Sequence, residues 1–325
     1  MNNLTTNKDI LFFSGIHMDL QGRLDAPALI GASNPGTVNA MAGGASLNSA
    51  SVAALLGCNC AIVSMVGDDQ QADILANTLK SRSIKNHLHV CHGKSTGSYT
   101  SIIEPDGNLH IAIADLGLND RIEADWLLEH YVKPMTTADI WFLSSNLSTR
   151  ALLALSDRSL AQCPKILAAA SISPSKSQKL APSLANIDVL FTNIAEASAM
   201  LNVIDGKPYD APQIEPRTCI ARIREIGVAK GTLSQGEGFL WVWEDNTIRK
   251  YQPASLDQVI DVTGAGDALA GTFLMGLAAD MSMFSTAPLA ISAARMTIST
   301  LGPYNANISI EELKLLAVHV KAFDI

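Results

Sequence analysis

The sequence predicts an α/β fold built from repeated strand–helix units. Three observations carry this reading: short apolar runs that end in glycine, helical stretches between them, and 48% apolar against 17% charged residues over 325 positions. A chain of this length holds one large or two modest domains, because domains usually run to about 50–250 residues; one unit spanning 1–325 fits its even texture. The formal net charge of −8, with no lysine- or arginine-rich run, gives a nucleic-acid backbone nothing to rest on.

Ile10-Leu11-Phe12-Phe13-Ser14-Gly15 reads as a buried first strand whose end delivers Asp19 toward a site. Residues 21–42 are rich in glycine, proline and alanine, with Asn34-Pro35-Gly36 as a turn, and read as a loop. Gly43-Gly44 opens a helix over Ala45 to Leu56 that Gly57 stops. Cys60 to Gly67 reads as a strand and Asp68 to Ser83 as a helix. Between Gly97 and Asp115, two β-rich runs surround Pro105-Asp106-Gly107-Asn108, the pattern of an antiparallel hairpin. Together with the loop it is expected to form a small lid or oligomer patch. Further strands fall at 140–143, 165–169, 189–191 and 238–242. The stretch 206–216 is too short a linker to mark a domain boundary.

Five cysteines form neither a CxxC pair nor an even disulfide set and read as reduced core thiols. His87, His89 and His92 lack acidic or cysteine partners at metal spacing and read as a solvated strand edge. Met1 to Asp9 is polar without a signal-peptide core, and no apolar run reaches the ~18 residues of a membrane span. A cytoplasmic location, with no membrane partner, is the expectation.

The chemistry concentrates in Asp261-Val262-Thr263-Gly264-Ala265-Gly266-Asp267, which opens a long helical run. Its two glycines allow close backbone approach, and a helix start presents unpaired N–H groups and a positive dipole end, which makes an anion seat. Asp267 lies in the first turn, where a carboxylate is stabilised as the anion and can accept a proton. A P-loop and a GxGxxG fingerprint are both absent. Gly43-Gly44-Ala45-Ser46-Leu47-Asn48 opens a second helix at the other end of the chain, where Asn48 and Asp19 suit a polyhydroxylated ligand.

A GGxxxN helix start in the first fifth and a D-x-x-G-A-G-D start in the last quarter resemble the ribokinase-like (pfkB-type) carbohydrate kinase family. Ser33-Asn34-Pro35-Gly36, Thr96-Gly97-Ser98-Tyr99 and Ala112-Ile113-Ala114-Asp115-Leu116 are most similar to its pseudouridine kinases. The resemblance implies a three-layer αβα fold, a mainly parallel sheet and a small β lid from about 17–41 and 94–115. It implies Asp267 as catalytic base, Gly264, Ala265 and Gly266 as the anion hole, and Asp19, Gly43, Gly44, Asn48 and Thr96 as the sugar set. ATP would meet Asn193, Gly236, Gly238 and Thr263, and Glu196 of Asn193-Ile194-Ala195-Glu196 would organise Mg²⁺. K⁺ carbonyls and adenine contacts would fall around Thr297 to Asn307.

The chain departs from this pattern at Phe191-Thr192, where those kinases carry Lys-Pro, at Ala170-Ser171 in place of Asp-Pro, and at Gln235 in place of a glycine. The expected activity is ATP-dependent phosphorylation of a hydroxymethyl on a ribosyl or sugar substrate, pseudouridine 5′-OH foremost. Ribose, adenosine or a ketose as acceptor, or a catalytically weak sugar- or nucleoside-binding protein, are the competing readings. A homodimer through the lid is expected, since a two-stranded hairpin alone is marginal and leaves open edges.

Overall fold

The computed structural model describes Thr6, residues 8–253 and residues 258–325. Most of the polar N-terminal stretch, read above as lacking a leader core, lies outside them. The strands are β1 (Asp9–Phe13), β2 (His17–Leu24), β3 (Gly36–Gly43), β4 (Asn59–Gly67), β5 (Lys85–Cys91), β6 (Ser98–Ile103) and β7 (Leu109–Asp115). They continue as β8 (Ile140–Ser144), β9 (Ile166–Ala170), β10 (Val189–Asn193), β11 (Lys230–Ser234), β12 (Leu240–Glu244), β13 (Thr247–Gln252) and β14 (Lys321–Asp324).

Ten strands form one sheet in the order β14-β13-β12-β11-β10-β9-β8-β1-β4-β5. From β5 to β11 every pairing is parallel, and β12 to β14 add an antiparallel edge. Alternate residues of each central strand enter different cores, as the two-residue period of a strand requires. Ile10 and Phe12 pack with the helices Ala45–Leu55, Ala265–Ala278 and Met283–Ile298, whereas Leu11 and Phe13 pack with Thr149–Leu155, Ile194–Ile204 and Pro216–Ile226. Helices on both faces complete the three-layer αβα architecture, which is the ribokinase-like fold.

The second sheet, in the order β3-β2-β6-β7, corrects the reading of residues 21–42 as a loop. β2 and β3 pair antiparallel from His17↔Gly43 to Leu24↔Gly36, and β2 runs parallel to β6. Glycine and alanine mask the β pattern here, because the ladder is held by backbone bonds and by β6 rather than by β-branched side chains.

The Ala45–Leu55 helix is buried from Ser46 to Ala53, on every side. Small residues permit this: it is wedged between the sheet and the Ala265–Ala278 helix, where a Cβ on Gly271 would lie 2.4 Å from the Ser49 carbonyl oxygen. The close approach holds the two helix starts at fixed spacing. Among the described residues, no helix is long and apolar enough to cross a membrane. Gly271→Val is expected to lower stability by about 1–3 kcal/mol through overpacking, despite its gain in helix propensity. Urea unfolding checks this, and an unchanged midpoint would show that the helices separate freely.

Candidate active site

The C-terminal ends of β9, β10 and β11 open into a cleft of about 590 Å³, roofed on one side by Tyr99 and Ala114 of the second sheet. This is where parallel α/β sheets present ligands, because loops leave the strands there and helices begin. At one wall, Gly264 caps the Ala265–Ala278 helix with φ 80°, a left-handed conformation, and a Cβ at this position would meet the Pro303 carbonyl oxygen at 2.4 Å. Only glycine fits. Ala268 N–H donates to Gly264 at 2.8 Å, and no side chain caps the helix start. Gly266 has no atom within 4 Å of where a Cβ would stand, so its backbone faces open cleft. Asp261 braces the preceding turn, accepting from Thr263 N–H at 2.9 Å and from Gly302 N–H at 3.1 Å. The segment expected to carry K⁺ carbonyls therefore packs behind the anion seat.

Asn48 Nδ2 donates to Asp267 Oδ2 at 2.8 Å, joining the two glycine motifs at one point. Beside them, His17 Nε2 lies 3.1 Å from Asp19 Oδ1, and the Asp19 carboxylate rests on Gly43, where a Cβ would come within 2.0 Å of Oδ2. At the far side, Asn193 and Glu196 make a reciprocal capping box, with Glu196 N–H donating to Asn193 Oδ1 at 2.9 Å and Asn193 N–H to Glu196 Oε2 at 3.1 Å. Ser171 Oγ also donates to Glu196 Oε2 and lies 2.9 Å from Thr192 Oγ1. Two of the departures from the kinase pattern, Ser171 and Thr192, are thus neighbours that hold Glu196.

The helix dipole stabilises Asp267 as the anion, and the surroundings of its carboxyl act in the opposite sense. Burial pushes its pKa up to about 7, against the Asn48 hydrogen bond and with help from the negative charges of Glu196 and Asp19. Desolvation also raises Glu196, opposed by Ser171 and Asn193. A carboxyl in that condition suits a nearby cation, whose charge would return it to the anion. Burial likewise raises the Cys58 thiol, to about 11, as inert core cysteines require.

Asp267, Gly264, Gly266, Thr263, Asp19, Gly44, Asn48, Asn193 and Glu196 line this one cleft. Ala265 is the first helical residue beside it. Thr96, Gly236 and Gly238 are not brought to it. Thr96 is buried with its hydroxyl and amide both on Asp69, at 2.6 and 2.7 Å. Gly236 and Gly238 form the β11–β12 turn, closed by Gly238 N–H to the Gln235 carbonyl at 3.0 Å. His17, Asn146 and Lys176 line the cleft without having been singled out in the sequence. Only the two-residue spacing of His17 from Asp19, both on one face of a strand, carried any signal for them.

The sequence profile of the pfkB family carbohydrate kinases matches residues 7–310. The pseudouridine kinase of Escherichia coli (strain K12) is 25% identical over 261 residues, covering 80% of this chain and 80% of its own. A carbohydrate kinase from Agrobacterium tumefaciens superposes with a TM-score of 0.84 at 28% identity, over 97% of this chain and 100% of that one. Arabidopsis thaliana ribokinase complexed with ribose and ATP has a TM-score of 0.77 at 18% identity, over 95% and 98% of the two chains, a likeness of fold.

A ¹³C NMR titration of the aspartate side chains, with Asp267 assigned by its loss in Asp267→Asn, is expected to give an apparent pKa of about 7. Asn48→Ala should move it higher, by removing a donor to the anion, and Asp19→Asn lower, by removing a neighbouring negative charge. Shifts in the opposite senses would reverse the electrostatic assignment.

Proposed function

The chain belongs to the pfkB family of carbohydrate kinases, and we propose that it transfers the γ-phosphoryl group of ATP to a hydroxymethyl of a ribosyl substrate, the 5′-OH of pseudouridine. The observation that carries this reading is the Asn48–Asp267 bond at 2.8 Å, because it sets a carboxylate between a hydroxyl-binding set and an anion seat. Asp267 takes the proton of the attacking hydroxyl. Its pKa of about 7 is matched to that task near neutral pH, where a base both ionises and binds a proton. Asn48 orients the carboxylate, and Asp19 accepts from the sugar hydroxyls while His17 holds its other oxygen. The free N–H groups at Gly266 and Asp267 take the negative charge of the phosphoryl in transit, where positioning and electrostatics carry most of the catalysis.

Glu196, with Asn193, is the group that would hold Mg²⁺ on the nucleotide side, directly or through water. The ion supplies charge neutralisation on the transferring phosphates when bound. Closure of the second sheet over Asp19 excludes water, the competing acceptor.

Homodimerisation through that second sheet belongs to the same reading. Val38, Ile111 and Ile113 are 75%, 58% and 67% exposed. Strand register places all three on the face opposite Asp19, Tyr99 and Ala114. An apolar outer face of this kind is suited to a second copy. Light scattering at micromolar concentration should give twice the chain mass, and Ile113→Lys should return it to one; a monomeric parent protein counts against the dimer.

Asp267→Asn is expected to lower turnover by about 10²–10⁴-fold with unfolding unchanged. In the parent enzyme kcat/KM should rise with pH through an apparent value of about 7, since the base must be ionised. ADP release with pseudouridine, ribose, adenosine and fructose checks the acceptor, and a variant that keeps most of its activity removes Asp267 as the base. Nucleoside binding by calorimetry without ATP binding would instead support a non-catalytic binding protein, whose motivation is the altered pair Ser171 and Thr192.

A further inference from the structure

Lys176 is a half-buried cation on the cleft wall that no step of the proposed transfer uses. Its ammonium donates to Asn146 Oδ1 at 2.7 Å, and no carboxylate lies within ion-pair distance of it among the described residues. Asn146 is itself buried. With its oxygen taken by Lys176, its amide presents NH₂ donors to the cleft. The pair is rigidly mounted. Asn146 N–H donates to Ser144 Oγ at 3.1 Å, Ile172 N–H to Ser145 Oγ at 3.0 Å, and Ser177 Oγ to the Ser173 carbonyl at 2.6 Å.

Asn146 follows β8, the neighbour of β1, and Lys176 follows β9. Both line the cleft that Tyr99 and Ala114 of the second sheet roof. Tyr99, Ala114, Leu116 and Ile172 line the same cleft and give a flat ring apolar contact. Burial holds the Lys176 pKa below its ordinary value, the condition of an ammonium awaiting an acceptor.

We infer that Lys176 and Asn146 form a specificity subsite that donates hydrogen bonds to the carbonyl oxygens of a planar, pyrimidine-type base on the ribosyl acceptor. Ribose has no group that reaches this subsite, and an adenine edge offers no carbonyl oxygen. The inference rests on the reading of the cleft as a ribosyl-acceptor site, and a binding measurement separates it from the reading of the reaction. A donor-rich pocket selects strongly for the ligand that satisfies it, because desolvated donors left unpaired are costly.

The test is calorimetric titration of the full chain with pseudouridine, adenosine, ribose and a keto sugar acid, for the parent, Lys176→Met and Lys176→Arg. Pseudouridine should bind the parent more tightly than ribose or adenosine. Lys176→Met should weaken pseudouridine about tenfold or more, the loss of a charge-assisted hydrogen bond. It should weaken ribose much less, and Lys176→Arg should restore most of the pseudouridine affinity. Equal losses for ribose and pseudouridine, or none for either, overturn the subsite. A sugar acid that binds the parent more tightly than pseudouridine, and loses more in Lys176→Met, overturns the base assignment. Selective pseudouridine binding without ADP release would sustain the subsite and remove the kinase reading.

Discussion

The hydrogen bond between Asn48 and Asp267 is the constraint on which the cleft depends. It spans 219 residues of sequence and 2.8 Å of space, so both helices must start at the same level above the sheet. Packing holds the helices at that level. The Ala45–Leu55 helix is buried all round, and Gly271 lets the Ala265–Ala278 helix press its backbone against Ser49. Close-packed backbones cannot slide by a fraction of a turn without collision, which gives the polar contact its precision. The glycines at the two helix starts complete the arrangement, since Gly44 and Gly264 both adopt positive φ.

Burial of charge is the cost of this design. Asp19, Glu196 and Asp267 share one cleft, and the negative charges of the first two help to raise the pKa of the third. Desolvation is nevertheless the largest cause, and it outweighs the Asn48 donor. A more exposed carboxylate would hold its proton less tightly. Glu196 is held in the same tension: Ser171 and the Asn193 backbone stabilise its charge while burial opposes it. The hydroxyls at Ser171 and Thr192 give this chain its own means of fixing that carboxylate.

Much of the fold and the centre of the cleft were legible in the sequence because they rest on backbone geometry. Glycine pairs before helices, apolar runs of strand length and the hairpin turn at 105–108 each carry a local physical signal. The second sheet was only half legible. β6 and β7 show alternating β-formers, but β2 and β3 are rich in glycine, alanine and polar residues and become strands through pairing. Ligand roles were least legible where a side chain is spent on structure. Thr96 satisfies Asp69, and Gly236 and Gly238 turn a hairpin, and spacing does not reveal such commitments. Lys176 and Asn146 were invisible for the converse reason: they lie on separate βα connections and meet only because β8 and β9 are neighbours in the sheet.

β2 joins the two levels of organisation. Its residues alternate between faces, so Asp19 points to the cleft while Leu20 and Gly22 align with Ala40 and Val38 on the outer side. A one-residue slip of β2 against β3 would exchange the faces, placing a carboxylate on the apolar side and removing it from the cleft. The seat of Asp19 on Gly43 opposes such a slip, because only a residue without Cβ tolerates the carboxylate at that distance. The same contact that aims Asp19 into the cleft therefore fixes which residues form the outer surface. The lining of the cleft and the apolar exterior are set by one strand register, held at its end by one glycine.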